Sequence, residues 1–573
     1  MRPFRRSLAT AVALTGLLTI VGMAPPLLMR RLLNDVAKEG RWDIFPVVIG
    51  LLFLVPVLRA CVNIANSLTL NSVGLGIISR TRRRLFRRLM SLSLRFYNEM
   101  SVGGINQRLM GDVATVSGVA TGGLITLVTD TIAVAFALIA MLGLSRQLSL
   151  LTFALLPLYY LNYRFFSRRM VEANARLRAN MDHISSMLQE RLSAHELIQA
   201  YGQEEAEATQ FSSQAKQVMD SAIRGSAYNI SFNQLSAFIN KIGNTFIYCA
   251  GCYFFVKETM GYGDVVAFCA YATQILGPVV RFAAVANQIV QAGVSVDRIQ
   301  EILDREPAIT ESPDPRPIES VRGDVELEGV GFAYGDGSRA LDGLDLKIPG
   351  GSHVAIVGRP GAGRSTLAML IRRFFDPHEG RIRVDGIDVR EYRLGDYRRT
   401  LGLVPAECTV FDGTIRENLC YGSPEAPEDR MIAIAKEVGL HDFIMSLREG
   451  YETRVGAGGL KLATGHRQRI GVARALLAEP SLLIVDEATA ALDPESAEDL
   501  SAVIRSAMRE RTCLIIVHRV LLARDADRIA VMDHGRVVDA GSHEELIRRP
   551  ASLYRDLFAM QYGEHRLPPV RKP

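Results

Sequence analysis

Two stretches of this sequence carry residues whose types and spacing suit phosphate chemistry. The first is Gly358-Arg359-Pro360-Gly361-Ala362-Gly363-Arg364-Ser365-Thr366, preceded by the strand-like run His353–Val357 and followed by the helical pattern Leu367–Ile371. A glycine loop between a strand and a helix lets backbone N–H groups approach phosphates, and the helix N-terminus adds partial positive charge. The Ser365 hydroxyl suits Mg2+ there and Thr366 suits a phosphate, but the position such a loop gives to lysine holds Arg364. The second stretch, Leu482-Leu-Ile-Val-Asp486-Glu487, is an apolar strand ending in two carboxylates. Asp486 suits the metal, and Glu487 is the candidate general base that orients or deprotonates an attacking water. A further strand, Thr512–Val517, delivers His518, a donor able to reach a terminal phosphate. A glycine loop alone is a moderate signal; followed in order by strand-Asp-Glu and strand-His it becomes a strong one.

The elements around these residues divide the chain. With 573 residues, 48% of them hydrophobic, and a mean hydropathy of +0.14, it is too long for one ordinary domain and too apolar to be wholly soluble. The first 300 or so residues alternate apolar runs with arginine clusters, while the remainder reads as a mixed α/β domain. The net charge of +5 does not argue for nucleic acid, because the arginines flank apolar spans, where positive charge is kept on the cytoplasmic side. Seven cysteines show no metal-ligand spacing, and the formal CxxC of Cys249 and Cys252 sits in an apolar helical run as a structural feature. The N-terminal Met1-Arg-Pro-Phe-Arg-Arg and its apolar sequel imitate a signal peptide. The apolar run continues through Leu28 without a cleavage site, so it reads as a retained first membrane helix.

About 20 apolar residues cross a bilayer as a helix. Six spans are predicted: Ser7–Met29, Ile44–Leu70, Val116–Leu142, Leu148–Phe166, Phe232–Val256 and Asp264–Val290. Arg80, Arg82, Arg83, Arg84, Arg87 and Arg88 after span two, and Arg164, Arg168 and Arg169 after span four, mark those ends as cytoplasmic. Arg30 and Arg31 run mildly against the rule, in a loop they share with Asp35, Glu39 and Asp43. The loops after spans two and four read as long helical extensions, the second turning near Glu196–Gly202. Arg59, Asn63 and Asn66 share a face of span two. Asn229, Asn233, Ser236, Asn240 and Asn244 stripe span five, and Gln274, Arg281, Gln288 and Gln291 lie on span six. Two readings stand: polar glue between helices, or a water-filled pathway for a polar substrate, anions among the options. A proline-rich linker follows Asp304, and from Val325 strands and helices alternate.

With these motifs in order, nearly the whole chain resembles the exporter branch of ATP-binding cassette (ABC) transporters, in the half-transporter layout. The resemblance rests on the residues above and on four more features. These are Tyr334 in Phe332-Ala-Tyr334, Phe411–Leu419, the signature region Leu462-Ala463-Thr464-Gly465-His466-Arg-Gln-Arg469, and the D-loop ending in Asp493. It implies a membrane α-helical domain of six transmembrane helices in the exporter fold, followed by an α/β P-loop NTPase domain. The expected division is 1–305 membrane domain, 306–321 linker, 322–563 nucleotide-binding domain and 564–573 tail. It further implies ATP and Mg2+ as ligands, with adenine stacked on Tyr334 and phosphates on residues 358–366. Mg2+ falls to Ser365 and Asp486, and catalysis to Glu487 and His518. Residues 463–466 and Asp493 face the ATP of a partner chain. Coupling helices are implied near Leu92–Ser101 and Tyr201–Glu207, and the location is the cytoplasmic membrane.

Departures from the family pattern cluster. Arg364 replaces lysine, Ala406 in Val404-Pro405-Ala406 replaces the Q-loop glutamine, Ala457 replaces a glutamate, and Ala463-Thr464-Gly465-His466 stands for Ser-Gly-Gly-Gln. Arg364 keeps the charge, but its planar guanidinium fork is bulkier than a compact ammonium and fits the phosphate nest poorly, and Thr464 adds bulk where backbone approaches closely. Such a set implies a heterodimer with a second half-transporter, which moves a peptide, polar natural product, drug or lipid outward. A catalytically silent regulatory subunit and a slow homodimeric lipid or drug translocase remain open beside it, and no nucleic-acid partner is expected.

Overall fold

The computed structural model describes residues 5–318, 321–456, 462–490, 492–509, 511–517 and 520–562. Within it the chain forms two compact units, one of residues 1–90 with 100–305, the other of 91–99 with 306–573.

The first unit is helical. Among the described residues three runs, Ala9–Lys38, Phe45–Ser91 and Val102–Leu144, are long and apolar enough to cross a membrane by length and composition. The remaining predicted spans lie on Arg146–Phe153 with Leu156–Ser193, on Glu204–Val256 and on Tyr262–Asp304. These carry more polar side chains, as a face turned to a cavity or to another helix requires. The 47 residues of Phe45–Ser91 reach about 70 Å at 1.5 Å per residue, more than twice a hydrocarbon core of about 30 Å. The long extension read from the sequence is therefore one unbroken helix. At Pro157, near the start of Leu156–Ser193, the chain breaks from Arg146–Phe153, so predicted span four is two helices. A proline's ring clashes with the carbonyl four residues back, and it offers no N–H. The second extension turns at Tyr201–Gln203, where Gly202 takes φ +60°.

Polar residues in this unit divide between the two readings offered above. Asn162 Nδ2 donates to Ser236 Oγ (2.8 Å) and Asn66 Nδ2 to Thr15 Oγ1 (2.8 Å), which is glue. Thr15 and Asn66 also line, with Arg59, Asn63, Gln274 and Arg281, a cavity of about 450 Å³, and Gln288 and Gln291 line another of about 520 Å³. Arg30, which ran against the charge rule, is neutralised by an ion pair with Asp264.

The second unit contains, among the described residues, strands β1 (Val325–Ala333), β2 (Arg339–Ile348), β3 (His353–Gly358), β4 (Glu379–Val384), β5 (Ile387–Asp388), β6 (Leu401–Val404), β7 (Gly413–Thr414), β8 (Arg454–Val455), β9 (Leu482–Asp486), β10 (Thr512–Ile516), β11 (Arg528–Asp533) and β12 (Arg536–Gly541). A central sheet runs in the order β12-β11-β3-β10-β9-β6, parallel except for β12. Strands β1, β2, β4 and β5 form a separate antiparallel sheet, and β7 pairs with β8. The apolar runs of β3, β9 and β10 are buried throughout, as strands covered on both faces must be. One core packs Leu367, Leu370 and Ile371 of the helix Arg364–Ile371 against Val354, Ile356, Ile484 and Leu514; the other packs Leu476, Leu500 and Ile504 against Leu483, Val485 and Ile515. The proline-rich segment lies on this unit: Arg373, almost wholly buried, donates to the Thr310 carbonyl (3.1 Å).

Candidate functional site

Parallel strands leave their C-terminal ends on one edge of the sheet, and the chemistry-bearing residues gather there. Strand β3 ends at Gly358, where a Cβ would sit 2.3 Å from the Met532 carbonyl oxygen. The loop Arg359-Pro360-Gly361-Ala362 then turns into the helix Arg364–Ile371 through Gly363, whose φ of +93° suits glycine alone. A Cβ on Gly363 would meet the Ala340 carbonyl oxygen at 2.5 Å, so close backbone packing and conformation select the same residue. Arg359, Pro360, Gly361 and Ser365 are exposed; Ala362, Arg364 and Thr366 are buried.

Strand β9 ends two neighbours away, with Asp486 opposite Ile516 of β10. Glu487 follows with φ +53°, a left-handed conformation that a non-glycine residue adopts at some expense. Its N–H bonds the Ile516 carbonyl (3.0 Å) and its carbonyl accepts from Ala490 N–H (2.9 Å), which holds the turn. The Arg364 side chain is 6% exposed: Nη1 donates to the Val517 carbonyl (2.6 Å), and Nη2 lies 3.7 Å from Glu487 Oε1. Burial pulls the guanidinium below its ordinary value, while Glu487 and Asp486 push it back up; it remains a cation. The residue that replaces lysine is thus engaged with the end of β10 and with the candidate base.

Tyr334 Oη and Thr366 Oγ1 are 2.9 Å apart, so the aromatic is tied to the same helix. Its ring packs edge-on against Phe332 and Phe375 and borders an open cleft with Arg95, Asn98 and His378. Arg95 lies on the short helix Leu94–Glu99, which falls in the region the resemblance assigns to a coupling helix. His518 and Ala457 lie outside the described residues.

The signature positions stand apart from this cluster. Ala463 is the N-cap of the helix Thr464–Leu477 and offers no side-chain acceptor to its first N–H groups. Thr464 Oγ1 instead accepts from Arg467 Nη2 (3.1 Å), Gly465 lies in the first turn, and His466 stacks on Phe443 with centroids 3.7 Å apart. Burial, then Arg469, lowers the His466 pKa, so the ring is neutral at pH 7. Asp493 caps the helix Pro494–Met508, accepting from Ser496 N–H (3.0 Å), and these bonds hold its carboxyl below the usual range. Among the described residues no hydrogen bond or ion pair joins positions 463–466 or Asp493 to the loop 358–366. Sequence reasoning missed two partners of the motifs: buried Gln468, whose Nε2 donates to the Ala406 carbonyl, and Phe443. Gln468 lies within the signature region, but nothing local in the sequence points it at Ala406.

For Mg2+ the donor set fits: the hydroxyl of Ser365, an exposed residue, and the carboxylate of Asp486, a half-buried one, are the hard oxygen ligands that ion takes. Among the described residues no group of three His, Cys, Asp or Glu converges, and Mg2+ in phosphate sites uses few protein ligands.

Fold and site together define a P-loop, ATP-binding α/β domain on a helical membrane unit. The profile of the ABC transporter transmembrane region matches residues 8–279, and that of the ABC transporter domain residues 341–490. Among relatives, an uncharacterized ABC transporter ATP-binding protein of Bacillus subtilis, YknV, is 32% identical over 98% of this chain and 93% of its own. The putative multidrug export protein YgaD of the same organism is 32% identical over 98% of both. An ATP-dependent lipid A-core flippase of Syntrophus aciditrophicus is 30% identical over 97% of this chain and 91% of its own. A bacterial Atm1-family ABC exporter solved with ATP bound superposes with a TM-score of 0.83 at 28% identity, covering 98% of this chain and 99% of that one. The chain belongs to the ABC transporter family and has its exporter fold. It is a membrane protein with its ATP-binding domain on the cytoplasmic side, and in this family ATP hydrolysis drives transport by paired chains.

Proposed function

We propose that this chain is one half of a heterodimeric exporter and moves an amphiphilic substrate, drug or lipid, out of the cytoplasm. The observation that carries the heterodimer is the engagement of Arg364. Its guanidinium is held by the Val517 carbonyl and lies beside Glu487, so binding of phosphates falls to the backbone N–H groups of residues 359–363. Ala463, which cannot cap its own helix, weakens the surface that a partner's ATP would meet. Defects on both surfaces argue for a second half-transporter with better motifs. The names of YgaD and of the lipid A-core flippase support an amphiphilic substrate.

In this reading Tyr334 stacks on adenine, and Glu487 orients and deprotonates the attacking water once Arg364 moves off it. Ser365 and Asp486 hold Mg2+, which supplies charge neutralisation at the transferring phosphate. His518 donates to the γ-phosphate. The same Arg364–Glu487 contact favours a second reading, a catalytically silent subunit that binds nucleotide and regulates its partner.

The test is Mg-ATP hydrolysis by the full chain in lipid, alone and with a candidate second half-transporter, each repeated with Glu487→Gln. The heterodimer predicts silence alone and turnover with the partner, reduced at least tenfold by Glu487→Gln. Turnover by the chain alone, abolished by that change, refutes it. Turnover of the pair that ignores Glu487→Gln selects the silent subunit.

A further inference from the structure

The membrane unit holds a group of charges near the middle of its predicted spans. Arg281 Nε and Nη2 each lie 2.7 Å from an oxygen of Asp130, a bidentate pair. The Asp130 side chain is 7% exposed and its oxygens are both occupied, whereas Arg281 keeps 52% exposure. Arg59 stands across the same cavity of about 450 Å³. Its guanidinium packs over Gly22, where a Cβ would meet Cζ at 3.1 Å, and among the described residues no hydrogen bond or ion pair reaches it. Asn66, 5% exposed, spends its Nδ2 on Thr15 and leaves Oδ1 unpartnered. Among the described residues two guanidiniums therefore face one acid in the lining, Asp130. A surplus cation at that depth is unfavourable unless an anion joins it.

Resting on the exporter reading above, we propose that this cavity binds the anionic group of the transported substrate: a carboxylate, phosphate or sulfonate on an amphiphile. Arg59 makes the direct ion pair. Arg281 presents the N–H groups that Asp130 does not use, and Asp130 competes for the rest of the fork and cancels one of the two positive charges. The volume lies within the range of small-ligand sites, enough for a charged head group with part of its tail. A neutral or cationic substrate would leave Arg59 unpaired, which is why the charge selects an anion. A structural ion pair alone explains Arg281 and Asp130 but leaves Arg59 without a purpose.

The test uses the full chain, nucleotide-free, in phosphatidylcholine nanodiscs. Dansyl-glutamate is the anionic probe and dansylamide the neutral one, both titrated by fluorescence. Dansyl-glutamate is expected to bind at least tenfold more tightly than dansylamide. Arg59→Gln should weaken it about tenfold, the loss of one charge-assisted hydrogen bond, and Arg59→Lys should recover most of that. Asp130→Asn, which releases Arg281, should tighten binding several-fold, an outcome that misfolding cannot mimic. Competition by dihexanoyl-phosphatidylglycerol but not by dihexanoyl-phosphatidylcholine would assign the site to a lipid head group; no competition by either would assign it to a free organic anion. Equal binding of the two probes, no binding of either, or indifference to Arg59→Gln overturns the proposal. Proteoliposomes with Mg-ATP and the partner separate the two readings. Arg59-dependent binding without ATP-driven transport removes the exporter reading and leaves the site standing, while transport indifferent to charge does the reverse.

Discussion

Replacing Arg364 by lysine sets two effects against each other, and the structure gives both signs. Lysine cannot reproduce the 2.6 Å bond from Nη1 to the Val517 carbonyl, and Val517 is 4% exposed. A buried acceptor left unpaired costs about 1–3 kcal/mol, which for a domain of this size lowers Tm by roughly 2–10 °C. In exchange, a compact ammonium at the head of the helix Arg364–Ile371 is free to meet phosphate oxygens, and the Glu487 carboxylate loses its guanidinium neighbour. A charge-assisted hydrogen bond contributes about 1.5–3 kcal/mol, or roughly 10- to 100-fold in affinity. The expected outcome of Arg364→Lys is therefore a less stable protein that binds Mg-ATP more tightly. Nucleotide binding and thermal unfolding of the full chain in nanodiscs measure both on one sample. Weaker ATP binding by the variant would refute the reasoning, since it would mean the guanidinium already holds phosphate when nucleotide arrives.

Three further outcomes follow from the same geometry. Ala463→Ser supplies the missing N-cap acceptor of the helix Thr464–Leu477 and should stabilise the chain by about 1 kcal/mol; an unchanged or lowered Tm would show that the helix start is satisfied in another way. Gly363→Ala forces a side chain at φ +93° to within 2.5 Å of a carbonyl oxygen and should destabilise by roughly 2–5 kcal/mol. Gly361→Ala, at φ +81° but with open space around its Cβ, should cost only about 1–2 kcal/mol, so equal effects in thermal melts would contradict the packing argument. Burial depresses the pKa of His466 and of His543, so the unfolded chain takes up protons first as pH falls below about 6.5. Stability is then full above that value and declines toward the folded-state pKa values. Tm measured from pH 7.5 to 5.5 should fall, and His466→Gln should flatten part of the slope; a flat profile in the parent chain would contradict the assignment.

What the sequence revealed and what it hid differ in physical kind. The loop 358–366, the strand ending at Asp486 and the long helices are local patterns, each set by backbone conformation or by apolar periodicity within a few turns, and they are legible for that reason. Contacts that close over a distance are not. Arg281 is conspicuous in an apolar span, yet its partner Asp130 is 151 residues away, and one helix's periodicity gives no hint of it. Arg364 was visible as a substitution, but a side chain with four torsions has several directions to take, and only the packed surroundings of Val517 and Glu487 choose one. Helix breaks fall between these cases. Pro157 lies in the first turn of a helix, at a break, while Pro56 and Pro278 lie inside theirs, so proline marks a candidate break and tertiary packing settles whether it becomes one. The same division explains why the departures at 364 and 463 carry unequal weight. Ala463 lacks an atom, and its deficit holds in every conformation. Arg364 has the charge that lysine would bring but spends it on a neighbour, and that deficit lasts only as long as the neighbour's claim outweighs that of a phosphate.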